Sequence, residues 1–214
     1  MAELTINEIF YSIQGESSYS GMPCVFVRLT YCNLRCGWCD TEYAFYEGRK
    51  MSLEEILMDV ARYGCRLVEV TGGEPLAQEG VHELMKTLCD SGYEVLLETS
   101  GSMSIENVDP RVKRIVDIKC PGSGMMKHNL WENIEYLKPA DEVKFVIGNK
   151  EDFDWAGDII QQYRLDARCP ILVSPVFGGL QPIELAQWVL DNRMNVRLQL
   201  QMHKYIWEPE TRGV

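Results

Sequence analysis

Short apolar runs recur along the chain, and longer amphipathic segments separate them. Several of the runs carry valine, isoleucine and leucine at consecutive positions, a pattern typical of strands in a parallel sheet that helices cover. The pattern predicts strands over residues 24–30, 66–73, 93–101, 114–122, 142–148, 170–176 and 196–203.

The amphipathic segments predict helices between these strands. The first begins at Ser52, which forms a capping box with Glu55, and its apolar residues then recur at helical spacing. Similar patterns predict further helices over residues 79–92, 127–138, 151–164 and 182–193. Because strands and helices alternate, we expect an α/β fold with right-handed crossovers and a curved or closed parallel sheet.

Polar and glycine-containing segments follow most of the predicted strands. They are TYCNLRCGWCD, TGGEP, ETSG, KCPG, SP and QMHKY. In parallel α/β folds the ligand binds beyond the carboxyl ends of the strands. We therefore expect these segments to meet at one functional rim, since packing alone gives no reason for them to gather there.

Composition narrows the class of protein. The chain has 214 residues, 46% of them hydrophobic, so we expect one domain over residues 1–214 with a sizeable core. A net charge of −11 disfavours binding to phosphate backbones. No segment approaches the roughly 18 consecutive apolar residues that span a bilayer. We expect a soluble, cytoplasmic protein with neither a nucleic-acid nor a membrane partner.

The cysteines carry the first chemical information. Cys32, Cys36 and Cys39 are spaced C-x3-C-x2-C, whereas the other five of the eight are dispersed and are expected to be small buried hydrophobic residues. Eight cysteines are too sparse here for a disulfide scaffold. The tight cluster suits metal binding in a reducing compartment.

Two kinds of metal site are compatible with three clustered cysteines. A structural zinc ion normally has four protein ligands, and the histidines, His82, His128 and His203, are distant in sequence. A [4Fe-4S] cluster held by three cysteines leaves one iron with an open coordination position. A cofactor with an amine and a carboxylate on adjacent atoms can chelate that iron. The spacing by itself leaves both sites open.

The cysteine motif, with Trp38 before the third cysteine and Gly-Gly-Glu-Pro after the next strand, resembles the radical S-adenosylmethionine (SAM) superfamily. The resemblance implies a partial, TIM-like barrel of mostly parallel strands with outer helices. It also implies that Cys32, Cys36 and Cys39 hold a [4Fe-4S] cluster, and that the amine and carboxylate of SAM occupy its fourth iron.

Within the superfamily, the chain resembles the 7-carboxy-7-deazaguanine synthase family along most of its length. The matching segments are EIFYSIQGE, VFVRLTYCN, CGWCDT, TGGEP, ETSG, KFVI and MHKY. The resemblance implies a carbon–nitrogen lyase that converts 6-carboxy-5,6,7,8-tetrahydropterin to 7-carboxy-7-deazaguanine with loss of ammonia. This reaction serves queuosine biosynthesis, a tRNA modification pathway, and begins when a 5′-deoxyadenosyl radical removes hydrogen from C6 of the pterin.

The same resemblance implies the residues of the site. The SAM contacts are Gly37, Trp38, Asp40, Gly72, Gly73, Glu74, Glu98, Ser100, Lys119, Ser174, Pro175, Val176 and Phe177. The pterin contacts are Ile13, Gln14, Gly15, Glu16, Arg28, Thr71, His203 and Pro209. Thr41 contacts a magnesium ion, and the segments 1–23 and 196–214 complete the substrate pocket. No catalytic side chain beyond the cluster and SAM is identified.

The chemistry of the pterin suits two of these assignments. A carboxylate such as Glu16 accepts hydrogen bonds from a 2-amino pyrimidine edge, and the Arg28 guanidinium grips a carboxylate with two parallel bonds. The alternatives are a salt bridge for Arg28, a solvated turn for Glu16 and a structural role for His203. The match to the family is weaker in two places. In the segment DIK only Lys119 matches the family pattern, and Pro209 corresponds to a terminal position in the family although this chain continues beyond it.

The resemblance further implies an electron donor, such as flavodoxin or ferredoxin, and a homodimer. Two other functions compete with it. A glycyl-radical activating enzyme shares the cysteine spacing but acts on a protein backbone, and the segment EIFYSIQGE argues against it. A non-catalytic iron–sulfur or zinc protein would leave TGGEP without a function.

Overall fold

A computed structural model describes residues 3–214. Residues 1 and 2 of the predicted domain lie outside the described residues. The strands are β1 (Glu3–Ile13), β2 (Pro23–Leu29), β3 (Arg49–Ser52), β4 (Leu67–Gly72), β5 (Glu94–Thr99), β6 (Lys113–Asp117), β7 (Glu142–Ile147), β8 (Ile171–Pro175) and β9 (Arg197–Leu198). The α-helices are α1 (Leu53–Ala61), α2 (Val81–Asp90), α3 (Lys150–Tyr163), α4 (Pro182–Asp191) and α5 (His203–Ile206).

The strands form one sheet in the order β3-β1-β2-β4-β5-β6-β7-β8-β9. From β2 onward neighbouring strands are parallel, whereas β1 pairs antiparallel with both β2 and β3. The predicted parallel strands are thereby confirmed. The apolar pattern did not predict β1 and β3, which extend the sheet at one edge.

The sheet curls, so that segments following strands far apart in it meet. The Met202 N–H, after β9, donates to the Gly15 carbonyl, after β1, at 2.9 Å. The Ser17 N–H donates to the Gln199 side chain at 2.8 Å. Within residues 3–214, β3 and β9 are not paired with each other. The expected partial, TIM-like barrel is therefore confirmed. β9 is shorter than predicted because the chain after it turns toward the loop that follows β1.

Helices cover the outer face of the sheet. Val27, Val70 and Leu97 point outward from β2, β4 and β5 into an apolar cluster with residues of α1 and α2. Phe145 and Val173 point outward from β7 and β8 into a second cluster with α3 and α4. Because successive residues of a strand point to opposite faces, the residues between them face the interior of the barrel.

An apolar plug fills one end of that interior. It consists of Phe10, Cys24, Phe26, Leu67, Leu96 and Ile115. On the parallel strands these residues come from the first half or the middle of each strand. The apolar plug therefore closes the amino-terminal end of the barrel and leaves the carboxyl-terminal end for other residues.

The helix predicted over residues 127–138 is wrong. The chain there forms two short 3-10 turns, Met126–His128 and Trp131–Tyr136. Asn129 exchanges hydrogen bonds with the backbone of Lys119 at 2.9 and 3.0 Å, and the Asn133 amide bonds the loop after β5. These side chains tie the segment to neighbouring loops, which outweighs the helical spacing of its apolar residues.

Candidate active site

Charged side chains lie on the inner face of the barrel, beyond the apolar plug. Each of these residues lies two positions after a plug residue on its own strand: Arg28, Glu69, Glu98 and Asp117. Lys144 on β7 pairs in register with Asp117 and completes the set. We call these five residues the inner polar layer. The period of two along each strand places all of them on one face.

The three cysteines lie on the loop after β2, at the carboxyl end of the barrel. Cys32 is buried, and Cys36 and Cys39 are partly buried. They share one small apolar cluster with Leu34, Phe45 and Met125. All three cysteines carry free thiols, so their sulfur atoms are available as ligands.

The donor set fits a [4Fe-4S] cluster better than a single metal ion. Within residues 3–214, no three His, Cys, Asp or Glu side chains are arranged to hold one ion. In a [4Fe-4S] cluster each cysteine binds a different iron, so the sulfur atoms need not converge on one point. Burial raises the pKa of the Cys32 and Cys36 thiols, and the Lys119 ammonium acts in the opposite direction on both. The three thiols are thus a suitable site for the predicted cluster, on which SAM is expected to bind.

Gly72 and Gly73 let the loop after β4 pack closely against the end of β2 and the cysteine loop. A Cβ atom on Gly73 would lie 2.3 Å from the Tyr31 carbonyl oxygen and 2.7 Å from the Cys32 Cβ. Gly72 has a φ of +151°, and a Cβ there would lie 2.3 Å from the Leu29 oxygen. Any side chain would force these backbones apart. The glycines therefore position TGGEP directly beside the first cysteine.

Glu74 is fully buried and joins the loops after β4 and β5. Its carboxylate accepts from the Thr99 hydroxyl at 2.9 Å, from the Ser100 N–H at 2.8 Å and from the Leu76 N–H at 3.0 Å. The Ser100 hydroxyl donates to the same carboxylate at 2.5 Å. Glu74 and Ser100, both predicted SAM contacts, are thus partners that hold the two loops at one level of the barrel.

Trp38 lies in a slot with two glycines on its walls. A Cβ on Gly122 or on Gly148 would lie 3.1 or 3.0 Å from the indole ring. Asp152 at the start of α3 accepts from the N–H groups of both glycines, at 2.7 and 3.0 Å. The adjacent Gly37 N–H donates to the Ser123 carbonyl at 3.0 Å. These contacts fix the position of the indole beside the third cysteine.

The remaining predicted SAM contacts lie around the same rim. Lys119 donates to Asp117 at 2.7 Å. Ser174 and Pro175 are buried at the end of β8, and Val176 is half-buried. Phe177 is exposed, and its ring meets that of Tyr205 edge-on with centroids 5.9 Å apart.

On the substrate side, Gln14 is buried with its amide already bonded. Its Nε2 donates to Glu69, and its Oε1 accepts the Glu16 N–H at 3.0 Å. Its neighbours Ile13, the last residue of β1, and Gly15 continue the same segment, and Thr71 is buried at the end of β4. The Gln14 side chain therefore fixes the loop that presents Glu16.

Arg28 keeps part of its guanidinium free. Its Nε donates to Glu8 at 2.8 Å, and its guanidinium carbon lies 5.6 Å from the Phe10 ring centroid and 5.9 Å from that of Tyr43. Among residues 3–214, its two terminal nitrogens have no hydrogen-bond partner. The salt bridge that we considered as an alternative is present, and it leaves the two-pronged end of the side chain able to grip a carboxylate.

The C-terminal segment reaches both sides of the site. Gln201 donates to Glu16 at 2.9 Å and to Asp40 at 3.0 Å, and Lys204 donates to Asp40 at 2.7 Å. Thr41, the predicted magnesium contact, has its hydroxyl 3.5 Å from Asp40. Gln201 thus connects a predicted pterin contact with a predicted SAM contact.

His203 begins the short helix α5 instead of ending a strand. It packs so closely on Gly15 that a Cβ there would lie 2.2 Å from its Nδ1. Burial lowers the pKa of this histidine. Pro209 is exposed, whereas Arg212, three residues later, lies over the Tyr43 ring at 3.9 Å. The tail therefore approaches the Arg28 side of the site beyond Pro209.

Sequence reasoning missed Glu69 and Lys144. Glu69 is 3% exposed and Lys144 is 5% exposed, each in the middle of an apolar strand. Lys144 donates to Glu16 and, at 2.6 Å, to Glu98. A charged residue within an otherwise apolar parallel strand was the available signal, because such residues are rarely buried without a partner.

In the described part of the chain, none of the helices has the length and apolar character needed to cross a membrane.

Comparison with known proteins agrees with this geometry. The sequence profile of the Radical SAM superfamily matches residues 27–121. The chain is 48% identical to the 7-carboxy-7-deazaguanine synthase of Chlorobaculum tepidum, over 100% of this chain and 98% of that protein. It is 47% identical to the protein of the same name from Koribacter versatilis, over 99% of this chain and 100% of that protein. The crystal structure of QueE from Escherichia coli superposes with a TM-score of 0.79 at 26% identity, over 94% of this chain and 95% of that one.

Proposed function

This chain belongs to the 7-carboxy-7-deazaguanine synthase family of radical SAM enzymes, and we propose that it converts 6-carboxy-5,6,7,8-tetrahydropterin to 7-carboxy-7-deazaguanine with release of ammonia. The observation that carries the proposal is the identity to curated synthases along the whole chain. The cysteine loop and the inner polar layer, which lie at the same end of the barrel, support it.

Membership of the superfamily implies a [4Fe-4S] cluster and SAM. When bound, they would supply the radical chemistry that removes a hydrogen atom from the pterin. Cys32, Cys36 and Cys39 would hold the cluster. The slot around Trp38 and the braced loops at Gly73 and Glu74 would receive and orient SAM.

For the pterin, we propose recognition from two sides. Glu16 accepts from the 2-amino pyrimidine edge, and the free end of Arg28 grips the 6-carboxylate. The bonds of Gly15 to Met202 and of Glu16 to Gln201 support the proposal that segments 1–23 and 196–214 complete the pocket of one radical SAM domain.

Four further features belong to the proposal: a magnesium ion, an electron donor, a cellular location and an oligomeric state. A magnesium ion binds at Thr41, where substrate oxygens and water fill the rest of its coordination shell, because one hydroxyl is too poor a site alone. A flavodoxin or ferredoxin supplies the electron. The enzyme acts in the cytoplasm as a homodimer.

The test is an anaerobic turnover assay. The protein is reconstituted with iron and sulfide, reduced with dithionite, and incubated with SAM and the tetrahydropterin at several magnesium concentrations. We expect about four iron atoms per chain and a ring-contracted product identified by mass spectrometry. SAM cleavage without that product would contradict the substrate assignment, and absence of iron would contradict the cofactor assignment.

A further inference from the structure

Lys144 is the cationic centre of the inner polar layer. It is 5% exposed, and its ammonium donates to Glu98 at 2.6 Å and to Glu16 across the barrel. The other titratable groups that face it from surrounding elements are Glu69 on β4, Asp117 on β6, Lys119 after β6, Asp40 on the cysteine loop and His203 on α5. Packing does not account for a lysine here, because an apolar residue would serve packing better, as apolar residues do at the outward-facing positions of the same strands.

Glu16 and Glu69 show what contact with this ammonium does. Burial alone would raise the pKa of Glu16, but the charge and hydrogen bond of Lys144, with a bond from Gln201, outweigh it and hold the pKa below its usual value. Glu69 has no ion-pair partner among residues 3–214. Burial, together with the negative charges of Glu98 and Glu16, raises its pKa well above the usual range. Two glutamates of one site thus have pKa values shifted in opposite directions.

Resting on the proposed function, we propose that Lys144 is a positioning residue for pterin recognition, whose ammonium holds the Glu16 carboxylate in place as an anionic acceptor for the N–H groups of the pyrimidine edge. Glu16 lies on a loop, so its own strand does not orient it. The contacts from Lys144 on β7 and from Gln201 in the C-terminal segment orient it instead. Without the cation, burial raises the pKa of Glu16, so that the carboxylate takes up a proton at a higher pH and loses acceptor capacity on the side that meets the pterin.

The proposal predicts a pH dependence that a merely structural lysine would not cause. The probe is 6-carboxypterin, whose fluorescence reports binding, titrated into wild-type protein and K144M between pH 5.5 and 9. The ratio of the two dissociation constants cancels the titration of the probe itself. We expect K144M to bind about tenfold more weakly for each pH unit below the new pKa of Glu16, and the ratio to level off at the alkaline end, where only the loss of orientation remains.

Two matched variants complete the design. K113M removes another lysine of the same sheet, which pairs with Glu142 at 2.9 Å and donates to Ser18 at 2.6 Å, on the loop that carries Glu16. It controls for loosening of that loop and should give a ratio that does not change with pH. K144R keeps the cation, so the ratio of its dissociation constant to that of wild type should not change with pH.

The outcomes separate this inference from the proposed function. If wild-type protein forms no ring-contracted product, the proposed function fails and this inference fails with it. If wild-type protein turns over but K144M binds the probe normally, or more weakly by the same factor at every pH, the inference alone is overturned.

A K144M protein that does not fold, as judged by circular dichroism, leaves the wild-type protein as the decisive sample. E16Q, whose amide does not titrate, then replaces K144M in the comparison, so that the titration of the probe again cancels. The ratio of the E16Q and wild-type dissociation constants must stay constant from pH 9 to pH 5.5, which lies above the pKa of an unperturbed glutamate, about 4.3. A ratio that falls as the pH is lowered through this range overturns the inference.

Discussion

On β4, Val68 and Val70 point outward into the cluster with α1 and α2, whereas Glu69 between them points into the barrel. On β7, Phe145 points outward and its neighbour Lys144 points inward. The outer residues stabilise the fold by burying apolar surface, about 25 cal/mol for each Å². The inner residues cost free energy, because charged groups are buried there. The contribution to stability and the proposed role in recognition thus fall on alternate residues of these strands, and this separation can be tested.

The largest effect on function should come from the carboxyl end of the barrel. In C36S the cluster loses one of its three proposed ligands, so both pterin turnover and SAM cleavage should disappear. The free energy of unfolding of the metal-free protein should change by less than about 1 kcal/mol, because the substitution is nearly isosteric at a half-buried position. Iron analysis, turnover and urea unfolding measure these quantities. Turnover of C36S at the wild-type rate would contradict the assignment of the cysteines.

The largest effect on stability should come from the outer face. Phe145 is fully buried and packs edge-on against Trp155, with centroids 6.4 Å apart. F145A should lower the free energy of unfolding by about 3–5 kcal/mol, through lost burial and a cavity. Turnover per folded molecule should fall far less than in C36S. If F145A remained as stable as wild type but lost its activity, the division between the two faces would be wrong.

A smaller effect, with a defined sign, concerns Glu69. Its pKa is raised in the folded protein, so folded molecules keep a proton that unfolded molecules lose above about pH 4.3. Stability from this group is therefore fully present below that pH and falls as the pH rises toward the folded pKa, by up to about 1.4 kcal/mol for each pH unit. E69Q should remove this slope. Urea unfolding of both proteins between pH 5 and 8 measures the difference, and parallel curves would contradict a protonated Glu69.

The smallest effect is expected far from the site. The Ser52 hydroxyl accepts the Glu55 N–H at 3.3 Å, and the Glu55 side chain accepts the Ser52 N–H at 2.7 Å. S52A should lower the free energy of unfolding by about 1 kcal/mol and leave turnover unchanged. Thermal unfolding and the turnover assay check this. A loss of activity in S52A would mean that the outer helices influence the site.

The local features of the chain were predictable from its sequence. The cysteine spacing, the Gly72-Gly73 pair and the capping box at Ser52 each lie within a few residues, and the parallel strands follow from apolar runs. Such features depend on backbone geometry and on the side-chain period of strands, which act over short distances along the chain. Sequence alone therefore determined the class of fold, the cluster of three cysteines and the end of the barrel at which they lie.

Only the tertiary structure decided which side chains meet inside the barrel. Lys144 contacts Glu16 at a separation of 128 residues, and Gln201 contacts Asp40 at a separation of 161. These contacts depend on how strongly the sheet curls and on the register of every strand between them, which no local pattern specifies. Other tertiary contacts, those of Asn129 and Asn133 with neighbouring loops, prevented the helix predicted over residues 127–138, and β9 ends after two residues where Met202 bonds Gly15. The electrostatic environment of the site, unlike its cysteine motif, is a property of the curled arrangement of strands.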